Sequence, residues 1–121
     1  MKVVIVGGVA GGATAAARLR RLDEAAQIIV FERTGYVSYA NCGLPYYVGG
    51  VIEDEAELTL QKPESFRARF NVDVRVHHEV TQIEPTGKSV TARKLETGNT
   101  FKETSDKLVY SHWARPARLA L

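Results

Sequence analysis

The sequence predicts an α/β fold in which a parallel sheet of βαβ type carries a small antiparallel β-meander. Three observations lead to this prediction. A β-branched run at residues 3–6 precedes a glycine-rich stretch, a second apolar run ends at Glu32, and three short segments separated by turn residues lie between positions 79 and 103. The chain has 121 residues, 45% of them hydrophobic, which suits one compact domain.

The first quarter of the chain has the order strand, turn, helix, strand. Val3–Val6 is β-branched throughout, as in a buried parallel strand, and Gly7–Gly12 forms a glycine-rich turn. Ala13–Leu22 is rich in Ala, Leu and Arg and predicts a helix. Gln27–Phe31 predicts the second strand, and Glu32 follows at its carboxyl end. This arrangement is the Rossmann-like, nucleotide-binding βαβ pattern.

Each part of that unit has a physical role. Gly7 permits the tight turn, Gly12 lets the helix pack close to the strand, and the helix N-terminus offers N–H groups to a pyrophosphate. Glu32 lies 20 residues after Gly12, where its carboxylate can accept from ribose hydroxyls. The candidate cofactor-binding residues are Gly7, Gly8, Val9, Ala10, Gly11, Gly12, Glu32 and Arg33.

Two alternatives stay open for this unit. Val9 occupies the middle glycine position of the usual pattern, so a close-packed turn without a ligand also fits. Glu32 favours a free ribose diol over a 2′-phosphate, although Arg33 stands beside it. The unit alone does not distinguish FAD from NAD.

Cys42 is the candidate nucleophile. Pro45 is well placed in the first turn of a helix, which puts Cys42 near the N-terminus of that helix, where the helix dipole stabilises a thiolate. Ser38 and Asn41 either donate hydrogen bonds near the sulfur or build a turn. The alternative for a lone cysteine is a small buried hydrophobic residue.

Two segments carry a specific resemblance. Gly7–Thr14 together with Glu32, and Ser38–Pro45, resemble the N-terminus of coenzyme A-disulfide reductases. Those enzymes form the single-cysteine branch of the FAD-dependent pyridine nucleotide-disulfide oxidoreductases, beside NADH oxidases, NADH peroxidases and persulfide or polysulfide reductases. The resemblance runs from residue 1 to about residue 109, and the valine at position 9 is usual in that branch.

The resemblance implies a cofactor, a substrate and site residues. FAD would be held by the glycine turn and Glu32, with NAD(P)H as the electron donor. Cys42 would cycle between a thiolate and a mixed disulfide with coenzyme A, or a persulfide. Arg18 and Arg21 are spaced i, i+3 and could face phosphates together, or they could form a solvated helix surface. The residues implied to line the coenzyme A channel are Thr14, Arg18, Arg21, Ser38 and Asn41.

The remainder of the chain predicts one helix and five strands. Pro63–Phe70 predicts a short helix and Val72–Val76 a strand with period-two alternation. Asp106–Tyr110 should return to the parallel sheet. The meander strands are expected at Glu79–Glu84, Ser89–Lys94 and Thr100–Glu103.

Composition limits the other function classes. A single cysteine excludes an internal disulfide and fits a reducing, cytoplasmic compartment, and a net charge of +2 is too small to indicate nucleic acid binding. The uncharged run from Val3 to Ala17 has 15 residues, fewer than the roughly 18 of a membrane span, and its glycines argue against a secretory signal. His77 and His78 should point to opposite faces of a strand, so we expect no metal site.

The length and the last residues modify these expectations. Residues 1–110 are expected to be a truncated FAD/NAD(P)-binding domain and residues 111–121 an atypical basic tail, because relatives have Ser-Pro-Gly-Ala where this chain has Ser111–Ala114. The NADH and dimerisation domains of such enzymes do not fit in 121 residues, so we expect no NADH-driven turnover. The alternatives are a non-catalytic module that binds FAD, ADP or coenzyme A, and a structural relic that forms a homodimer or otherwise self-associates.

Overall fold

The computed structural model describes residues 1–114, 117, 119 and 120. The residues of the basic tail at positions 115, 116, 118 and 121 lie outside the described residues. In chain order the elements are β1 (Lys2–Val6), α1 (Ala10–Leu22), β2 (Gln27–Phe31), β3 (Val37–Tyr39), α2 (Leu44–Val48), β4 (Thr59–Gln61), α3 (Pro63–Phe70), β5 (Asp73–Arg75), β6 (His78–Glu84), β7 (Ser89–Lys94), β8 (Thr100–Thr104) and β9 (Lys107–Tyr110).

Four strands form a parallel sheet in the order β5-β2-β1-β9. Their carboxyl ends therefore lie along one edge, which is where ligands bind in open α/β sheets. The return of the chain to this sheet after the meander confirms the expectation for β9. β6, β7 and β8 form the predicted antiparallel meander.

The two faces of the parallel sheet are covered by different layers. On one face Val3, Ile5 and Ile28 belong to the cluster that includes Ala16 of α1 and Phe66 of α3. On the other face, the alternate strand residues pack against the meander; this cluster contains Val4, Ile29, Phe31, Val90 and Ala92. Because neighbouring strand residues point to opposite faces, the continuous β-branched runs fill both layers.

An ion-pair network joins the meander to the sheet. Arg75 of β5 donates to Asp73 and, at 2.9 Å, to Glu103 of β8, and Lys2 of β1 also donates to Glu103. The Arg75 guanidinium carbon lies 5.4 Å from the ring centroid of Phe31. These contacts fix the position of the meander relative to the strands on which the site is built.

Some local expectations differ from the structure. The first helix begins at Ala10 rather than Ala13, so Gly11 and Gly12 are helical. The prediction that both histidines lie in one strand is wrong, because His77 has a φ of +54° in the turn between β5 and β6, where its N–H donates to Thr34 O, and only His78 belongs to β6. The antiparallel pair β3–β4 was not predicted.

Among the described residues, no helix is both long enough and apolar enough to cross a membrane.

Candidate functional site

The glycine turn lies at the carboxyl end of β1. Gly7 has a φ of +97°, a backbone conformation that side chains rarely adopt, and its N–H donates to Phe31 O at 2.8 Å. α1 begins three residues later at Ala10, and the residue before it, Val9, supplies no side-chain cap. The first-turn N–H groups of a 13-residue helix are thus left for another acceptor, as in a phosphate-binding turn.

At two further glycines, atoms of another segment lie so close that a Cβ atom would collide with them. A Cβ atom at Gly12 would lie 1.7 Å from Gly7 O, so only glycine lets α1 start this close to the strand. A Cβ atom at Gly11 would lie 2.5 Å from Ser111 Oγ, because the segment after β9 passes over the turn. The packing role of Gly12 was predicted from the sequence, whereas the contact at Gly11 was not, because Ser111 is 100 residues away along the chain.

Glu32 is buried and braces the turn. Its exposed fraction is 2%, Oε2 accepts from Gly8 N–H at 2.6 Å, and Oε1 accepts from the N–H and the hydroxyl of Thr34 at 2.9 and 3.0 Å. A carboxylate oxygen can accept two hydrogen bonds, so Oε2 can accept one more. Neighbouring Arg33 is exposed, with its Nε 3.6 Å from Glu79 Oε1.

Three adjoining cavities lie around the glycine turn, the first two at the carboxyl edge of the sheet and the third between α1, β3, β4 and α3. The first has a volume of about 560 Å³ and is lined by Glu32 and Arg33, among others. The second has a volume of about 430 Å³ and is lined by Val9, Ala10 and Gly11, among others. The third has a volume of about 640 Å³ and contains Cys42. The second and third share Ala10 and Asn41 as lining residues, so the nucleotide turn and the thiol belong to one continuous surface.

Cys42 is exposed and lies in a 3₁₀ turn, Asn41–Gly43, directly before α2. Pro45 is in the first turn of α2, as the sequence predicts, but α2 has only five residues, so few peptide dipoles are aligned behind the thiol. Gly43 is buried and lets this turn pack closely against Leu58, since a Cβ atom at Gly43 would lie 2.5 Å from Leu58 Cδ2. The exposed thiol contradicts the alternative of a small buried hydrophobic residue.

The third cavity brings together four of the residues that the sequence analysis selected. Thr14 of α1, Ser38 of β3, and Asn41 and Cys42 of the turn all line it. Ser38 has a φ of +55°, and its N–H donates to Gly8 O at 2.9 Å. The glycine turn therefore directly holds the segment that carries the cysteine.

Asn41 has a buried side-chain oxygen, Oδ1, with no hydrogen-bond partner among the described residues. Leaving such an acceptor unpaired costs about 1–3 kcal/mol. Asn41 lines both the second and the third cavity, so this unpaired acceptor belongs to a residue beside the space in which a ligand would bind.

Arg18 and Arg21 do not line the third cavity. Ala10, Ala13, Thr14 and Ala17 of α1 line it, and the two arginines continue that helical stripe beyond the cavity, with exposed side chains. They are therefore placed to meet only a ligand that extends out of the cavity.

Tyr39 also borders the thiol cavity. Desolvation raises the pKa of Tyr39 above its ordinary 10.0, and the charge of Glu55 and the neighbouring phenols of Tyr36 and Tyr47 raise it further. The raised pKa keeps the Tyr39 phenol protonated, and therefore a hydrogen-bond donor, to a higher pH than an ordinary tyrosine.

The residues present fit most of an FAD molecule. The uncapped α1 N-terminus, the glycine approach and the free acceptor position on Glu32 match a pyrophosphate and a ribose. Trp113 disagrees with this fit, because the segment His112–Ala114 forms a wall shared by the first and second cavities. A dinucleotide that spans both cavities has to pass the segment that carries Trp113.

No group of three His, Cys, Asp or Glu side chains suited to a metal ion occurs in the described part of the chain.

Comparison with protein families gives one match over the whole chain. A family described as pyridine nucleotide-disulphide oxidoreductase matches residues 1–121. A coenzyme A disulfide reductase of Staphylococcus epidermidis is 45% identical over 118 residues, which is 98% of this chain and 27% of that protein. The chain thus spans about a quarter of the length of the curated relatives it matches.

Solved structures give the same relationship. The reduced CoADR-RHD of Bacillus anthracis superposes with a TM-score of 0.94 at 48% identity, over 99% of this chain and 22% of that one. An NAD-dependent persulfide reductase from A. fulgidus superposes with a TM-score of 0.92 at 39% identity, over 97% of this chain and 22% of that one.

Proposed function

This chain belongs to the pyridine nucleotide-disulphide oxidoreductase family, and we propose that it forms the cofactor-binding and thiol-bearing part of a reductase for coenzyme A disulfide or a persulfide. Relatives with those two activities are 45% and 39% identical to it. The observation that carries the proposal is that the cavity over the nucleotide turn and the cavity beside Cys42 share Ala10 and Asn41 as lining residues.

Cys42 acts as the attacking thiolate. Its sulfur displaces one sulfur of a coenzyme A disulfide, forming the Cys42–coenzyme A mixed disulfide and releasing one coenzyme A thiolate, so the number of disulfide bonds is unchanged. FAD, when bound, supplies the electron pair that cleaves such a disulfide, and NAD(P)H is the proposed source of that pair.

The substrate is held by the residues around the thiol. Thr14, Ser38 and Asn41 lie in the same cavity as Cys42, and the unpaired Asn41 oxygen accepts a hydrogen bond from the bound thiol compound. Arg18 and Arg21 would meet the phosphates of a coenzyme A molecule that extends beyond the cavity along α1.

The cofactor is held at the carboxyl edge of the parallel sheet. The α1 N-terminus, with Gly11 and Gly12, binds the pyrophosphate of FAD, and Glu32 accepts from a ribose hydroxyl while it braces Gly8. Arg33 borders the same cavity and adds a positive charge beside the carboxylate.

The test is the mass of the intact protein after incubation with coenzyme A disulfide. We expect one coenzyme A adduct that reductant removes, and no adduct on the Cys42→Ser variant, which should fold normally because the cysteine is exposed. An adduct on the serine variant, or no adduct on the wild-type chain, would overturn the assignment of Cys42.

A second function, an adenine nucleotide-binding module without redox turnover, is favoured by Trp113. Trp113 lines both the cavity of Glu32 and the cavity over α1. A chain that binds ADP tightly and FAD not at all would have this function. Calorimetric titration with each nucleotide distinguishes the two cases.

Two wider features belong to the same proposal. A reducing, cytoplasmic location suits a chain whose single cysteine is exposed. Self-association, including a homodimer, would cover the apolar side chains of α2 and the segment after it, where Tyr46, Val48 and Val51 are 58%, 85% and 76% exposed.

A further inference from the structure

The end of α3 forms one wall of the cavity that contains Cys42. Phe66, Arg69 and Phe70 line this wall, facing the α1 side across the cavity. The Arg69 side chain is exposed, and its guanidinium carbon lies 5.3 Å from the ring centroid of Phe70, a distance typical of a cation–π contact. The ring thus keeps the guanidinium near the cavity.

Among the described residues that line this cavity, Arg69 is the one side chain that carries a positive charge, and none is a carboxylate. The described lining of this cavity of about 640 Å³ therefore places one cation, Arg69, in the same space as the reacting sulfur of Cys42. An anionic group near the thiol would find one cation and no lining carboxylate that repels it.

The two neighbouring arginines of α3 differ in their partners. Arg67 Nη2 donates to Asp73 Oδ1 at 2.8 Å, so its charge is matched within the protein. No carboxylate of the described chain lies within ion-pair distance of Arg69. The guanidinium of Arg69 is thus available to a ligand, and Arg67 provides a matched control on the same helix.

We propose that Arg69 is a specificity-determining residue, which selects anionic, phosphate- or carboxylate-bearing disulfides for reaction with Cys42. A guanidinium pairs with phosphate or carboxylate through two parallel hydrogen bonds, which favours such a group over a neutral one. This inference rests on the proposed function, because it concerns the disulfide that the Cys42 thiolate attacks.

The test measures the rate at which Cys42 forms a mixed disulfide, followed by intact mass. Three disulfides are compared at the same pH: coenzyme A disulfide carries phosphates, oxidised glutathione carries carboxylates, and 2-hydroxyethyl disulfide is uncharged. The variants are Arg69→Ala, Arg69→Gln, which keeps most of the side-chain stem, and Arg67→Ala. In each reaction one thiolate is released for each mixed disulfide formed.

We expect Arg69→Ala and Arg69→Gln to slow the reaction with at least one anionic disulfide about five- to tenfold, as for loss of one charge-assisted contact. The reaction with 2-hydroxyethyl disulfide should change less than about twofold, and Arg67→Ala should leave all three rates within about twofold. Raising the salt from about 0.05 to about 0.5 M should reduce the wild-type preference for the anionic disulfide. The anionic substrate that slows more identifies phosphate or carboxylate as the group recognised.

Equal slowing of charged and uncharged disulfides, or an equal effect of Arg67→Ala, would overturn the role of Arg69 while leaving Cys42 as the nucleophile. Failure of Cys42 to react with any of the three disulfides would overturn the proposed function and this inference together.

Discussion

Arg20 shows how a single side chain can hold α1 against its surroundings. Its guanidinium donates to five backbone carbonyl oxygens, those of Asp23, Glu24, Ala26, Phe70 and Asn71, at 2.6 to 3.2 Å. Two of these carbonyls lie 50 and 51 residues further along the chain. Arg20 therefore connects the end of α1 to the end of α3, the two helices that border the thiol cavity.

We expect Arg20→Ala to lower the free energy of unfolding by about 2–3 kcal/mol, because several carbonyls lose a charged donor at once. Urea denaturation measures this. The matched control is Arg18→Ala on the same helix, whose exposed side chain should matter by less than about 0.5 kcal/mol. Equal effects of the two variants would contradict the structural role given to Arg20.

At the scale of single residues, the sequence predicted which side chains lie together, whereas the roles assigned to those side chains stay predictions. Cys42, Ser38, Asn41 and Thr14 meet around one cavity, as the resemblance implied. The role of Arg20 was missed because its acceptors are backbone atoms of distant segments, and neighbouring Arg18 and Arg21 have the same residue type.

Glu103 connects three elements, since Lys2 of β1 and Arg75 of β5 both donate to its carboxylate on β8. Partial burial alone would raise the pKa of Glu103, but the hydrogen bonds and charges of Lys2 and Arg75 outweigh it and hold the pKa below the ordinary 4.5. A carboxyl group with a depressed pKa stabilises the folded state above its unfolded pKa. That stabilisation is lost as the pH falls through the folded value.

We therefore expect Glu103→Gln to be less stable than the wild type at pH 7, with a difference that shrinks as the pH falls below about 4.5 and Glu103 is protonated. Thermal unfolding at a series of pH values measures the difference. A gap of constant size from pH 7 down to pH 3 would show that the carboxylate charge does not contribute.

At the scale of elements, hydrophobic pattern and turn residues predicted every strand of the parallel sheet and the meander, together with α1 and α3. They did not predict the β3–β4 pair, because each strand has three residues and the partners lie about 20 positions apart. The early start of α1 was missed because glycine propensity argues against helix at Gly11 and Gly12, and the close contact with Gly7 overrides that propensity.

At the scale of the whole molecule, the first two cavities lie at the carboxyl edge of the sheet, and Trp113 lines both of them. We expect Trp113→Gly to tighten FAD binding at least about tenfold, since a bulky ring leaves the path of a dinucleotide, while ADP binding changes less than about threefold. Isothermal titration calorimetry with both nucleotides measures this. An unchanged FAD affinity would show that Trp113 does not obstruct FAD, and a parallel loss of ADP binding would indicate that Trp113 has a structural role.

The nucleotide turn and the Cys42 thiol share one continuous ligand surface, because their cavities have Ala10 and Asn41 in common. The rate at which iodoacetamide alkylates Cys42, measured by intact mass with and without saturating nucleotide, tests it most directly. We expect FAD, which reaches from the Glu32 cavity toward Asn41, to change the alkylation rate severalfold, whereas ADP, which ends at the α1 N-terminus and lacks the flavin half, should change it less. Identical rates with FAD, with ADP and with neither, at confirmed saturation, would contradict it.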